Sequence, residues 1–323
     1  MRRTGSDSPF LSVIVRTQGN RPSSFVDSLL CLAAQTNDDF ELIVIAHKVN
    51  KKILKQIEET TGRFAPLFRR NPQIIQCNLP GRSSPLNAGV EVAGGRYLAF
   101  YDDDDLLFGN WVENFKSVSE KNQAETLLRQ LCFVQHVASE KWSLDQGFRA
   151  ISWPTNPYPL TFSLADHLSV NKSPFMSVAF PQRFFSEYGF RFDSELTVCE
   201  DWDAILQCAN HFGARSVSLP ESIYRMWSSA ETSYSLHDAA SWRASEARVI
   251  EKLNAEPLNL PKGSASDLHK KLLFVDQVTG HSFLFDQSGF RKPFLLLIRL
   301  VSPLLRLMVK IRNKYRKFLS KVR

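Results

Sequence analysis

Two acidic clusters hold the residue types best suited to chemistry. The first is Asp102-Asp103-Asp104-Asp105, which ends the apolar run Tyr97 to Tyr101. Four adjacent carboxylates repel one another and gain nothing by continuing a strand. At the C-terminal edge of a parallel sheet they would form an oxygen-rich cluster in the crevice where open α/β sheets bind ligands. Mg²⁺ and Mn²⁺ take such oxygens, usually one or two carboxylates together with a substrate's phosphates. A solvated acidic turn after a strand is the other reading these residues allow. The second cluster is Glu200-Asp201-Trp202-Asp203, at an expected helix start. Acidic residues there favour the helix dipole and cap free amides, which alone would account for them. A chemical role requires a partner: a carboxylate acting as a general base must reach the proton it removes. The two clusters meet that need only if folding brings them to one pocket.

The elements that must position them alternate along the chain. Phe10 to Val15 reads as a strand, followed by the polar turn Arg16-Thr-Gln-Gly-Asn-Arg-Pro22. Phe25, Val26, Leu29, Leu30 and Ala33 recur at helical spacing, giving a helix to about Gln35. Phe40 to Ala46 and Gln73 to Cys77 are strands, with a helix from Asn50 to Thr60 between them. Leu86 to Ala93 is a short helix closed by Gly94-Gly95. Later come a helix over Asn110 to Glu120, strands within Leu127 to Val137 and Pro174 to Phe180, and helices over Gln182 to Tyr188 and Ala204 to Phe212. Strands and helices in alternation predict an α/β fold with a mostly parallel sheet flanked by helices.

Composition bounds the rest. The chain has 323 residues, 43% hydrophobic, with a net charge of +7. Eleven Lys or Arg and no acidic residue lie between Arg291 and Arg323, so the basic balance belongs to a tail and not to a nucleic-acid-binding core. The five cysteines are scattered without metal-ligand spacing and read as reduced thiols of a cytoplasmic protein. No secretory leader is visible, and no apolar run reaches the roughly 18 residues of a membrane span.

Four blocks carry a resemblance to the family 2 glycosyltransferases. They are Leu11-Ser-Val-Ile-Val-Arg-Thr to Gln35-Thr; Leu86-Asn-Ala-Gly through Asp105; Gly189-Phe-Arg-Phe-Asp193 with Glu200-Asp201-Trp202-Asp203; and Tyr224-Arg225. Together they cover about residues 10 to 230. The resemblance implies a GT-A fold and inverting transfer of a sugar from a nucleotide donor. It implies that Asp102 and Asp104 hold Mg²⁺ or Mn²⁺ on the donor diphosphate, Asp104 more directly, with Asp103 beside them. Asp105 fits a fourth acidic position. Asp201 matches the base, and Glu200 would contact or orient the acceptor. Thr17 borders the nucleotide base, Arg82 and Asn87 approach the diphosphate or ribose, and Arg225 lies near the donor phosphates.

One stretch departs from the family. Where an aspartate usually reads the nucleotide, this chain has Ala46-His-Lys-Val-Asn50, and His47 and Lys48 read as an exposed loop. A UDP-sugar is therefore the default donor, with GDP- and dTDP-sugars open. The acceptor would be a glycan or lipid-linked hydroxyl, in cell-envelope or surface polysaccharide synthesis. Trp153, Tyr158, Phe175, Trp202 and Trp227 are candidates to stack on it. The expected organisation is a catalytic domain over 1–235, a helical extension over 236–290 and a basic amphipathic segment over 291–323. That segment suits an anionic membrane surface, making the protein peripheral on the cytoplasmic face. Two other classes stay open: a sugar nucleotidyltransferase, disfavoured by the single glycine in the first turn, and a degenerate domain acting as a membrane-associated binding module.

Overall fold

The computed structural model describes residues 8–121, 124–139, 147–227 and 237–269. The chain opens with β1 (Leu11–Thr17), α1 (Pro22–Ala33), β2 (Phe40–His47), α2 (Lys51–Phe64) and β3 (Gln73–Cys77). α3 (Ser83–Val92) then returns the chain across the sheet to β4 (Tyr97–Asp102). β4 pairs with β1 on the side away from β2, so the parallel half has the order β3-β2-β1-β4. The strand order therefore reverses between β1 and β4. In an open α/β sheet that reversal opens a crevice at the carboxyl ends of the two strands, here Thr17 and Asp102.

The second half is mixed. β5 (Leu106–Leu107), α4 (Trp111–Glu120), β6 (Leu127–Ser139) and β7 (Phe148–Ala150) are followed by α5 (Leu164–His167), β8 (Val178–Pro181) and α6 (Gln182–Ser186). The last elements in this region are α7 (Glu200–Phe212), β9 (Ala214–Trp227) and α8 (Ala239–Asn254). The sheet continues from β4 as β8-β6-β9-β5, with β7 on β6. β8 runs antiparallel to both of its neighbours, whereas β6 and β9 are parallel with register shifts on either side of Leu131.

Alternation along the strands builds a core on each face. Ile14, Ile43, Ile45, Leu98 and Phe100 point to the face covered by α3, α6 and α7. Val13, Val15, Leu42, Val44, Ala99 and Tyr101 point to the face covered by α1, α2 and α4. Burial on both faces is why these strands read as continuous apolar runs. Phe100 anchors the first core, stacked on Phe175 at 4.7 Å and edge-on to Phe192 at 5.0 Å.

The turn into β4 is tightly packed. A Cβ on Gly95 would lie 2.5 Å from the Ser12 amide nitrogen and 2.9 Å from the Leu11 carbonyl carbon. These are backbone atoms of the central strand and cannot swing away. Gly95→Ala should therefore cost about 1–3 kcal/mol in urea unfolding. An unchanged midpoint would show that β1 and β4 can separate without penalty.

Most expected elements are present, with shifted ends. α3 begins at Ser83 and α7 at Glu200, each earlier than the apolar periodicity indicates. The segment expected as one strand from Pro174 starts with a 3-10 turn, Phe175–Ser177, before β8. β9 is an addition that no periodicity indicated. The described residues up to Pro261 belong to one compact unit. α8, expected to open a separate extension, belongs to this unit; its Arg248 pairs with Asp193 at 2.7 Å and its Lys252 with Asp203 at 2.5 Å. The five cysteines are free, and Cys77, Cys132 and Cys208 are buried. Among the described residues no helix is long and apolar enough to cross a membrane. The basic segment 291–323 lies outside the described residues.

Candidate functional site

The crevice between β1 and β4 sets the site. Arg16 and Asp102 are register partners on these strands, and the guanidinium reaches the Asp102 carboxylate at 2.7 Å. Its other arm contacts Glu200 Oε1 at 3.4 Å and the Arg82 carbonyl oxygen at 3.3 Å. Arg82 Nε donates to the same Glu200 oxygen at 2.7 Å. One buried arginine thus joins the acidic end of β4 to the acidic start of α7. The two clusters that the sequence separates by about a hundred residues face one site.

The charges explain why these groups stay ionised. Burial pushes the Asp102 carboxyl upward, but Arg16, Arg82 and Arg21 together hold it below its ordinary value. Burial also opposes charge on Glu200, which is 3% exposed, and Arg82 and Arg16 pull it below the usual range. Arg16 pays the same burial cost, and its two carboxylates keep it firmly protonated. Left unpaired, Glu200 would be a charge stranded away from water, whereas Asp102, with its side chain 36% exposed, would be partly solvated.

The remaining aspartates of the first cluster have different partners. Asp104 accepts from Arg21 at 2.6 Å. Asp103 is hydrogen-bonded by the Thr17 hydroxyl, which itself accepts from the Gly19 amide at 3.0 Å. Burial and the neighbouring Asp104 push the Asp103 carboxyl up to about 7. Asp105 is buried and accepts the Arg225 amide at 2.7 Å, while its carbonyl accepts the Tyr101 hydroxyl at 2.7 Å. Asp105 is thus a turn-forming group that ties β4 to β9.

At the second cluster the chain enters α7 through Cys199, whose φ of +68° lies in the left-handed region. That bend brings Glu200 under the arginines and sets Asp201 beside it. Asp201 Oδ2 accepts Asn171 Nδ2 at 2.8 Å. Burial and then Glu200 push the Asp201 carboxyl up to about 7. Asp203 turns away into the ion pair with Lys252.

Several expected site residues have other work. Glu200 is held between Arg82 and Arg16, so it positions the cluster and is not free to orient an acceptor. Thr17, at the carboxyl end of β1 in the crevice, is hydrogen-bonded to Asp103. Asn87 exchanges both of its amide groups with the Phe192 backbone, each at 2.9 Å, and staples α3 to that segment. His47, expected in an exposed loop, is buried with Nε2 at 2.9 Å from the Leu79 carbonyl oxygen, and burial lowers its pKa. Lys48 is exposed, with a φ of +53°. Among the aromatic candidates, Trp202 is buried and donates to the His167 carbonyl at 2.6 Å, and Phe175 is core. Trp153 is 87% exposed, and Tyr158 is half-buried.

Arg225 and Trp227 belong to a ladder of cations and rings beside the acidic turn. Arg21 lies 4.6 Å over Trp227, Trp227 packs 5.2 Å from Phe148, and Arg225 lies 4.4 Å over Phe148. Arg225 is 7% exposed and pairs with Asp27 at 3.0 Å through Nη2, while Nε and Nη1 have no hydrogen-bond partner among the described residues. Buried donors of this kind suit an anion. Arg16, Arg21, Asp27 and Asn171 were not singled out by sequence; the first two stand in what reads as a polar turn after the first strand.

The oxygen donors fit a hard cation. Arg16 takes Oδ1 of Asp102 and Arg21 takes Oδ2 of Asp104, so neither carboxylate is used up by its arginine. Among the described residues no three His, Cys, Asp or Glu side chains converge as a cage. A hollow of about 710 Å³ between α1 and α2, lined by Gly19, Phe25, Ile53 and Ile57 among others, contains none of these carboxylates.

Comparison with known proteins agrees with this architecture. Residues 12–179 match the family described as Glycosyl transferase family 2. An uncharacterized glycosyltransferase of Methanocaldococcus jannaschii is 24% identical over 208 residues, covering 62% of this chain and 65% of that protein. An uncharacterized glycosyltransferase of Rickettsia bellii is 32% identical over 113 residues, covering 35% of this chain and 15% of that protein. Among solved structures, S. aureus TarS 1-349 in complex with UDP-GlcNAc superposes with a TM-score of 0.57 at 16% identity, covering 74% of this chain and 65% of that one. That likeness establishes the GT-A fold. The matched region spans just under two thirds of the length of the first relative and of this structure.

Proposed function

The chain belongs to glycosyl transferase family 2, and from that premise we propose that it moves a sugar from a nucleotide-sugar donor to an acceptor hydroxyl with inversion. The observation that carries this reading is the Arg16 bridge, which sets the Asp102 and Glu200 ends of two distant elements on one site. A UDP-sugar is the proposed donor, in line with the UDP-GlcNAc bound to the TarS structure. The acceptor is a glycan or lipid-linked hydroxyl of envelope or surface polysaccharide.

The chain's residues divide the reaction between them. Asp201 takes the proton of the acceptor hydroxyl as its oxygen forms a bond to the anomeric carbon. The bond from that carbon to the diphosphate oxygen breaks on the opposite face, and the electron pair leaves with the nucleoside diphosphate. Positive charge grows at the sugar as in glycosyl transfer generally. Arg225 is the residue proposed to meet the departing phosphates, through its Nε and Nη1 donors. Asp102 and Asp104 would hold Mg²⁺ or Mn²⁺, which supplies charge neutralisation at the diphosphate. Glu200, locked by two arginines, keeps the start of α7 in place.

Asp104→Ala tests the donor-binding half. Calorimetric titration with a UDP-sugar and Mn²⁺ should show affinity falling by at least about tenfold, because the cation loses a carboxylate and Arg21 loses its partner. Affinity equal to that of the unaltered protein would remove Asp104 from the donor site.

A further inference from the structure

A second network stands behind Asp201 and lies outside the acidic motifs. Asn171 donates through Nδ2 to Asp201 Oδ2 at 2.8 Å. Its own orientation is fixed from the other end, because Oδ1 accepts the Ser173 amide at 3.0 Å. An amide whose oxygen caps a backbone N–H must present its NH₂ to the carboxylate. Ser173 is held in turn. Its hydroxyl lies 2.9 Å from Nε2 of His167, a buried ring whose Nδ1 is 2.9 Å from the Ser163 carbonyl oxygen. A carbonyl can only accept, so Nδ1 carries the proton and Nε2 accepts from Ser173. Burial pulls the pKa of His167 down to about 4, which keeps this tautomer neutral at physiological pH. The His167 carbonyl closes the circuit by accepting the Trp202 indole N–H at 2.6 Å.

We infer that Asn171 is a positioning residue for the transfer reaction: it orients the Asp201 carboxylate and stabilises its charged, proton-accepting form. The inference rests on the reading of Asp201 as the base. Other groups facing Asp201 are Glu200 and Cys199 on its own segment, Arg82 at the start of α3, Asp102 on β4, Tyr158 from the loop before α5 and Tyr224 on β9. Burial, Glu200 and Asp102 oppose charge on Asp201, while the Trp202 amide, donating to Oδ1 at 2.8 Å, and Arg82 favour it. Asn171 is a side-chain donor to Oδ2 of this carboxylate, opposite the Trp202 amide on Oδ1. A hydrogen bond to the ionised form lowers a carboxyl's pKa, so losing it raises that pKa.

The test is a titration of Asp201 by ¹³C NMR on the full chain, labelled at the aspartate carboxyl carbons. The resonance is identified by its loss in Asp201→Asn. Asn171→Asp keeps the oxygen that caps the Ser173 amide, so the turn is preserved, but it replaces the donor with an acceptor. Its expected effect is a rise of Asp201's pKa by about one unit or more. Asn171→Ala should move it in the same direction. An unmoved pKa in Asn171→Ala, which removes the donor without adding a charge, overturns the inference when the spectrum is otherwise native; the rise in Asn171→Asp also contains the like charge it introduces. That outcome is independent of catalysis: if Asp201→Asn retained full turnover while the titration shifted, the base assignment would fail and the Asn171 contact would stand.

Discussion

Asp201→Asn should bind donor as tightly as the unaltered protein and lose about a thousandfold in turnover. The substitution keeps shape and one hydrogen-bond acceptor while removing the group that takes a proton. Positioned general bases contribute roughly 10²–10⁴ in rate, which sets the size of the loss. The pH profile carries the same signature. With burial and Glu200 holding the Asp201 carboxyl up to about 7, the base is increasingly protonated as pH falls through that value. Turnover should rise through an acidic limb near pH 7 and then level off. Release of nucleoside diphosphate from a nucleotide sugar, followed from pH 5 to 9, reads both effects. A limb at the ordinary carboxylate value near 4, or undiminished turnover in the variant, would take Asp201 out of the base role.

Arg16→Ala should be the most destabilising single change at the site. Arg16 is 14% exposed at its side chain and contacts both Asp102 and Glu200. Its removal leaves Asp102 without its direct ion-pair partner and Glu200 with Arg82 alone. Breaking a buried pair typically costs about 3–5 kcal/mol; the 36% exposure of the Asp102 side chain and the surviving Arg82 contact bring this case down to about 1–3 kcal/mol. Arg16→Lys should recover only part, since one ammonium cannot span both carboxylates as the planar guanidinium does. Urea unfolding monitored by tryptophan fluorescence gives the number. A loss under about 0.5 kcal/mol would mean that the bridge contributes little and that something else holds α7 against β4.

How much of this could be read from residues alone follows from what each signal depends on. Asp102 to Asp105 announce themselves because four carboxylates interrupt a strand, and a strand end at a switch point is where ligands bind. Glu200 and Asp201 announce themselves at a helix start. Neither signal says what the carboxylates pair with, because Arg16, Arg82 and Glu200 meet only through tertiary packing. Glu200 consequently reads as a substrate contact when it is a buried counter-ion. Asn171 lies in an irregular segment with no periodicity to mark it. β9 was hidden by Ala214-Arg-Ser-Val-Ser-Leu-Pro-Glu-Ser222, whose small and polar residues mask a strand that pairs with β5 and β6. His47 sits at the end of β2, where a charged neighbour and a polar sequence suggest exposure; the carbonyl of Leu79 gives the ring a partner and lets it be buried.

The most direct test of one pocket with two separable acidic functions is a paired measurement of donor affinity and turnover on Asp104→Ala and Asp201→Asn. The expected pattern is crossed. Asp104→Ala loses Mn²⁺-dependent affinity for the UDP-sugar, and Asp201→Asn keeps that affinity while turnover collapses. Parallel losses of both quantities in both variants, or full turnover in either, would contradict the division of labour on which the proposed function stands.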